Sequence, residues 1–169
     1  MSMLSKFGAN VTPVGHVRIR VMDAATQRVI ESFEFHNNVL NVGRRALLRG
    51  LSGIQTSDII FDTCLVGDGG AYLNGSEYVE RQVTRDRDGL FGTARDTLAV
   101  ISRVNEDANG MPYAVVSSVL GAESTANGTL VSELGLTLKS GAMYALMTWP
   151  GTQKTSSISI GFDWLVFFL

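Results

Sequence analysis

Two histidines, His16 and His36, one cysteine, Cys64, and the carboxylates Asp58, Asp62 and Asp68 are the residues from which a metal site or a nucleophilic centre would be built. Their spacing argues against both. The histidines form no Glu-flanked pair at helical spacing for zinc, and a lone thiol supplies neither an intrachain disulfide nor a multi-thiolate cluster. Cys64 lies in an apolar run, the place of a small buried hydrophobe. The three aspartates are too widely spaced on an extended run to converge on an ion. Gly50-Leu51-Ser52-Gly53 lacks the glycine spacing of a nucleophile elbow, and neither histidine has an orienting carboxylate near it in sequence. Gly67-Asp68-Gly69-Gly70 has the glycines of a phosphate cradle, yet no Lys-Ser/Thr and no helical pattern follow, so it reads as a tight corner after a strand. Arg85-Asp86-Arg87-Asp88-Gly89 resembles the start of a calcium loop without the further ligands or the closing glutamate, and reads as a solvated loop. These residues assign no catalytic, cofactor or metal site, and the chain is expected not to be an enzyme.

The elements that would carry these residues are mostly strands. Val17, Ile19 and Val21 alternate with Arg18, Arg20 and Met22, the period of a strand with one buried face. Asp23 to Gln27 reads as a turn, and Arg28 to Phe35 as the second arm of a hairpin. A short helix is expected over Val42 to Leu51, with Val42, Ala46, Leu47 and Leu51 inward and Arg44, Arg45 and Arg49 wet. Asn41 is its expected N-cap, and Gly50 or Gly53 its stop. Ile59 to Val66 is a strand. The stretch 71–96, with Asn74-Gly75 and the charge run Arg81 to Asp88, reads as a long loop excursion. Strands follow at Leu98 to Asn105, Tyr113 to Leu120, Thr129 to Leu138 and Ala142 to Thr148. Trp149-Pro150-Gly151-Thr152-Gln153 reads as a turn. In the last strand Ile158, Ile160, Phe162, Trp164, Val166 and Phe168 share a face. The expected fold class is mainly β: a single β-sandwich-like domain over 1–169, with one short helix after the first hairpin and an extended lead-in over 1–14.

Composition limits the function. The 169 residues carry 14 Lys and Arg against 16 Asp and Glu, which leaves no basic excess for nucleic acid or an anionic membrane surface. Hydrophobic residues make up 45% and charged residues 18%, so the chain can fill a core while its surface is poor in charge for ordinary solvation. Such a surface suits contact with other protein. The apolar block at Trp164 to Leu169 is far shorter than a membrane span, and the first residues lack the apolar stretch of a signal peptide. Folding in a reducing cytosol is expected.

The order of features carries a resemblance. A hairpin, His36-Asn37-Asn38-Val39-Leu40-Asn41-Val42-Gly43-Arg44 leading a helix, Leu65-Val66-Gly67-Asp68-Gly69, then Leu130-Val131-Ser132-Glu133-Leu134-Gly135-Leu136 and a closing Trp-containing strand resemble small tail-associated virion proteins of tailed bacteriophages. The resemblance implies a non-enzymatic virion structural protein at the neck or collar, the baseplate or the fibre attachment, made in the host cytoplasm. Its partners would be other virion proteins and further copies of itself in a ring or other symmetric assembly, with no cofactor, nucleic acid or membrane. The sequence departs from longer fibre proteins in ending directly after the Leu165-Val166-Phe167-Phe168-Leu169 strand, so a repetitive shaft, a receptor-binding tip and direct host recognition are not expected. A different reading is a carbohydrate- or receptor-binding β-sandwich on the virion surface, which would need Tyr72, Tyr78 or Trp149 exposed at one loop-bearing end. Candidate interface residues are Arg81, Arg85 and Arg87, placed to meet carboxylates of a neighbouring chain, and Phe167 and Leu169, covered either by the helix or by a neighbouring subunit. Glu133, the lone charge of its run, reads either as a surface position or as an acceptor for backbone N–H groups at the adjoining turn.

Overall fold

Alternating apolar residues build the core strands, and in the computed structural model, which describes residues 13–168, they do so over most of the chain. The strands are β1 (Pro13–Asp23), β2 (Val29–Val39), β3 (Phe61–Gly67), β4 (Ala71–Asn74), β5 (Glu77–Glu80), β6 (Ala94–Ala99), β7 (Ile101–Glu106), β8 (Pro112–Leu120), β9 (Leu130–Leu138), β10 (Met143–Gln153) and β11 (Ile158–Phe168). One helix, α1 (Asn41–Leu51), and a 3₁₀ turn at Thr56–Ile59 fill the connection from β2 to β3. Nine strands form one antiparallel sheet in the order β6-β3-β9-β10-β2-β1-β11-β8-β7, and β4 and β5 form a separate hairpin. The fold is mainly β.

The large sheet folds over on itself. β2 pairs with β1 along most of its length but meets β10 only at Asn38 and Val39, so the sheet bends there. Its two edge strands, β6 and β7, are joined by Val100 alone, so the same backbone leaves one edge and enters the other. The result is a flattened, nearly closed sandwich. Val17 and Ile19 of β1, Phe162 and Trp164 of β11 and Val116 of β8 pack against Cys64, Leu134, Leu136 and Met147 from the opposite half. β11 lies between β1 and β8, and Ile160, Phe162, Trp164 and Val166 are fully or almost fully buried. At roughly 1.5–3 kcal/mol for each large apolar side chain, those four residues supply stabilisation comparable with a domain's whole net stability.

Several local expectations are corrected. β2 runs on through His36 to Val39 instead of ending at Phe35. Asn41 is the first helical residue, not the N-cap: Leu40 takes that place in an extended conformation, while the Asn41 amide donates to Asp86 Oδ1 at 2.7 Å. Gly50 does not stop the helix. It lies inside it, where a Cβ would collide with Ile59; Gly43, two turns earlier, would bring a Cβ to 2.5 Å from Tyr144 backbone. The buried face of α1 is therefore Gly43, Ala46 and Gly50, and Leu51 stands in solvent. Trp149 to Gln153 is not a turn between strands but an irregularity within β10, with the register shift between Thr148 and Thr152 and Gly151 at φ 113°. The expected single strand over Leu98 to Asn105 is broken at Val100, because its two parts serve opposite sheet edges.

Candidate functional site

The Gly67 to Gly70 corner is built around a buried carboxyl group. β9 places Glu133 opposite Gly67 of β3, and the side chain has no solvent exposure. Its Oε1 accepts from the Gly69 and Gly92 N–H groups at 2.9 and 2.8 Å, and its Oε2 accepts from Phe91 N–H at 2.6 Å. Of the two sequence readings of Glu133, the structure selects the acceptor. Three amide dipoles do here what a counter-ion does elsewhere. A side chain at Gly69 would strike the Gly92 backbone and one at Gly70 the Ser132 backbone, so the glycines are there for closeness to β9 and to the returning loop. Of the corner's own amides, Gly69 N–H is taken by Glu133.

The 71–96 excursion is more ordered than its composition suggests. It contains the β4–β5 hairpin, and then a loop whose Val83 is buried in a small second core with Leu40, Met143 and Leu146, flanked by Leu90 and Phe91. This changes the standing of the three candidate arginines. Arg87 donates to the Gly89 and Leu90 carbonyls at 3.3 and 2.7 Å and lies over the Phe91 ring at 3.6 Å. Arg81 donates through its backbone to Gly70 O and through Nε to Gly69 O, and its carbonyl accepts from Thr148 Oγ1. Arg81 ties the segment to the rest of the domain, and Arg87 folds the loop on itself. The Arg85 carbonyl accepts from Asn41 N–H, and its exposed side chain has no ion-pair partner among the described residues.

Phe167 is not covered by α1. Its ring stacks on Tyr113 of β8 at 5.0 Å and meets His16 of β1 edge-on at 6.1 Å, and His16 in turn lies 4.4 Å from His36 of β2. The four rings form a row across the outer face of the half-sheet β8-β11-β1-β2. Leu169 and lead-in residues 1–12 lie outside the described residues. Asp58 is buried against Arg49 at 3.1 Å, Asp68 pairs with Arg95, and Asp62 is exposed on β3, so the three do not converge. Among the described residues no group of three or more His, Cys, Asp and Glu side chains gathers in one place. Cys64 is fully buried, and loss of solvation pushes its thiol up to about 11. Burial also raises Tyr144 and lowers Lys154, whose ammonium donates to Asn127 Oδ1 and Thr155 O. Trp149 is in the core against Phe162 and offers no face to a ligand.

Sequence reasoning missed one surface and, of a second, named only Tyr72 and Tyr78. The first lies on α1 and the turn after it, where Leu48, Leu51, Ile54, Ile59 and Ile60 are exposed by 45–74%. Leu47, Leu51, Ile59 and Phe61 enclose a shallow apolar cavity of about 400 Å³ within it. The second is the β4–β5 hairpin, on which the cross-strand partners Leu73 and Tyr78 share a face and are exposed by 60% and 51%. Periodicity gave the helix and its inward side, where Ala46 is buried and Val42 and Leu47 pack against the two cores, but assigned Leu51 inward, because a face closed by Gly43 and Gly50 leaves little apolar signal. No helix among the described residues is long and apolar enough to cross a membrane. Comparison of the chain with protein-family models, with curated proteins and with solved structures finds no match.

Proposed function

We propose that the chain is a non-enzymatic structural protein of a tailed-bacteriophage virion, associated with the tail at the neck or collar, the baseplate or the fibre attachment. It assembles into a symmetric oligomer and joins neighbouring virion proteins. The observation that carries this reading is the exposed aliphatic patch of Leu48, Leu51, Ile54, Ile59 and Ile60 on α1 and the segment after it. Scattered apolar residues on a surface need no explanation, but a contiguous group over a formed cavity marks a place where protein meets protein. Low charge and the sequence resemblance point the same way. The carbohydrate-binding reading keeps Tyr72 and Tyr78, which are exposed on the β4–β5 hairpin, and loses Trp149, which is buried in the core.

The test is to label the chain in purified particles of the phage that encodes it and to image them by negative stain. Label at the tail, in a fixed number of copies per particle, is the expected result. Particles that lack the protein, or carry it only on the capsid shell, would refute the assignment.

A further inference from the structure

We infer that the α1 patch of one copy receives the β4–β5 hairpin of the next, in a head-to-tail contact between identical chains. This rests on the proposed symmetric oligomer and names the contact that would build it.

The two surfaces match in chemistry. The patch offers Leu48, Leu51, Ile54, Ile59 and Ile60, and the hairpin offers Leu73 and Tyr78 on one solvent-facing side. Their charges are opposite. α1 carries Arg44, Arg45 and Arg49 with no acidic residue, and Lys139 sits at the patch edge, its N–H bonded to Ile60 O. Arg49 is committed to Asp58, while Arg44 and Arg45 pair with no carboxylate among the described residues. The hairpin carries Glu80 on the face of Leu73 and Tyr78, Glu77 beside its turn, and no basic residue, and both glutamates are exposed and unpaired among the described residues. A two-stranded hairpin with apolar residues in water is marginal alone and gains from a surface that covers it.

The surfaces cannot meet within one chain. Phe61 lines the patch cavity at the start of β3, and Gly67 leads to the hairpin at its end. The 7 residues of β3 separate the two ends by about 20 Å. The hairpin is held at its own end: it lies against β10 and is tied at its base by Arg81 to Gly69 and Gly70. A contact between two different surfaces of identical subunits is heterologous, and repeats into a closed ring or an open filament.

The test uses the full chain in sedimentation velocity over a range of concentrations. The wild type is expected to associate beyond dimer, while Leu51→Asp and the double variant Leu73→Asp with Tyr78→Asp each sediment as monomers with wild-type melting temperatures. Mixed together, these two variants retain one intact patch and one intact hairpin between them, and should form a 1:1 heterodimer and nothing larger. A milder pair uses charge alone: Arg45→Glu with Lys139→Glu, and Glu77→Lys with Glu80→Lys, each weakening association about tenfold or more and restoring it when combined in one chain. If the wild type associates and every variant associates equally, the oligomer stands and this contact is wrong. If mixing gives no heterodimer, or the combined charge variant is not restored, the contact is also wrong. A wild type that stays monomeric throughout would overturn both the contact and the oligomer.

Discussion

Replacing Glu133 tests whether the glycine corner depends on one side chain. Glu133→Leu keeps the volume of the site roughly filled but removes every acceptor for the N–H groups of Gly69, Phe91 and Gly92. Gly92 is exposed, so water takes over its N–H, while Gly69 and Phe91 are only partly open. At about 1–3 kcal/mol for each buried donor left without an acceptor, the two together cost about 2–6 kcal/mol. Glu133→Gln keeps one oxygen, which can serve Gly69 and Gly92, but its NH₂ then faces the Phe91 N–H, donor against donor. One unsatisfied donor gives about 1–3 kcal/mol. For a chain of this length 1 kcal/mol corresponds to about 2–4 °C in Tm, so the leucine variant should melt about 4–24 °C lower and the glutamine variant about 2–12 °C lower. Urea denaturation gives the free energies, and amide hydrogen exchange at Gly69 and Phe91 reads the local effect. Both variants within about 0.5 kcal/mol of the wild type, with unchanged exchange at those amides, would refute the reasoning.

Gly43→Ala sets two effects against each other: alanine favours a helix over glycine by about 1 kcal/mol, but the new methyl would meet Tyr144 backbone at 2.5 Å, so the variant should be less stable in thermal melts, and a gain would mean that α1 stands off from β10. Arg87→Ala should cost about 1–2 kcal/mol in urea denaturation, because it frees the Gly89 and Leu90 carbonyls and uncovers Phe91, whereas Arg85→Ala should leave stability unchanged; equal effects would undo the distinction. Cys64 should resist alkylation at neutral pH until the domain unfolds, since burial both shields the thiol and holds it up at about 11. From its ordinary value of 9.0 to about 11 the unfolded chain releases a proton that the folded chain keeps, so stability should fall as pH rises through that window, and Cys64→Ala should flatten the fall.

The period-two signal was legible wherever a strand buries one face, which is why β1, β8, β9 and β11 stand where the sequence puts them. It could not reveal which strands share a sheet edge. Leu98 to Asn105 looks continuous in sequence because an apolar alternation does not register that Val100 is a corner between two halves. The helix and its inward side at Val42, Ala46 and Leu47 were legible, but the exposure of Leu51 was not, since Gly43 and Gly50 bury by closeness of backbone rather than by side-chain size. Arg81 and Arg87 were read as free charges because their acceptors are carbonyl groups, and carbonyl direction leaves no trace in residue type. Glu133 was the exception. A single charge within an apolar run has to be either exposed or satisfied, and nearby glycines made satisfaction by backbone the second option.

The Glu133 corner and the hairpin are mechanically one unit. Glu133 fixes Gly69 through its N–H, Arg81 fixes Gly69 and Gly70 through their carbonyls, and Arg81 directly follows the last residue of β5. The base of the hairpin is therefore tied to a buried side chain on β9, in addition to the contact of the hairpin with β10. In the proposed head-to-tail contact the hairpin needs a fixed direction, because each degree of freedom left at its base is lost as entropy on assembly. On this argument Glu133→Gln weakens association more than its small effect on melting implies, while Glu133 itself touches no partner. Sedimentation of that variant at temperatures well below its melting point separates the two effects. Association equal to the wild type would show that the hairpin takes its direction from β10 alone.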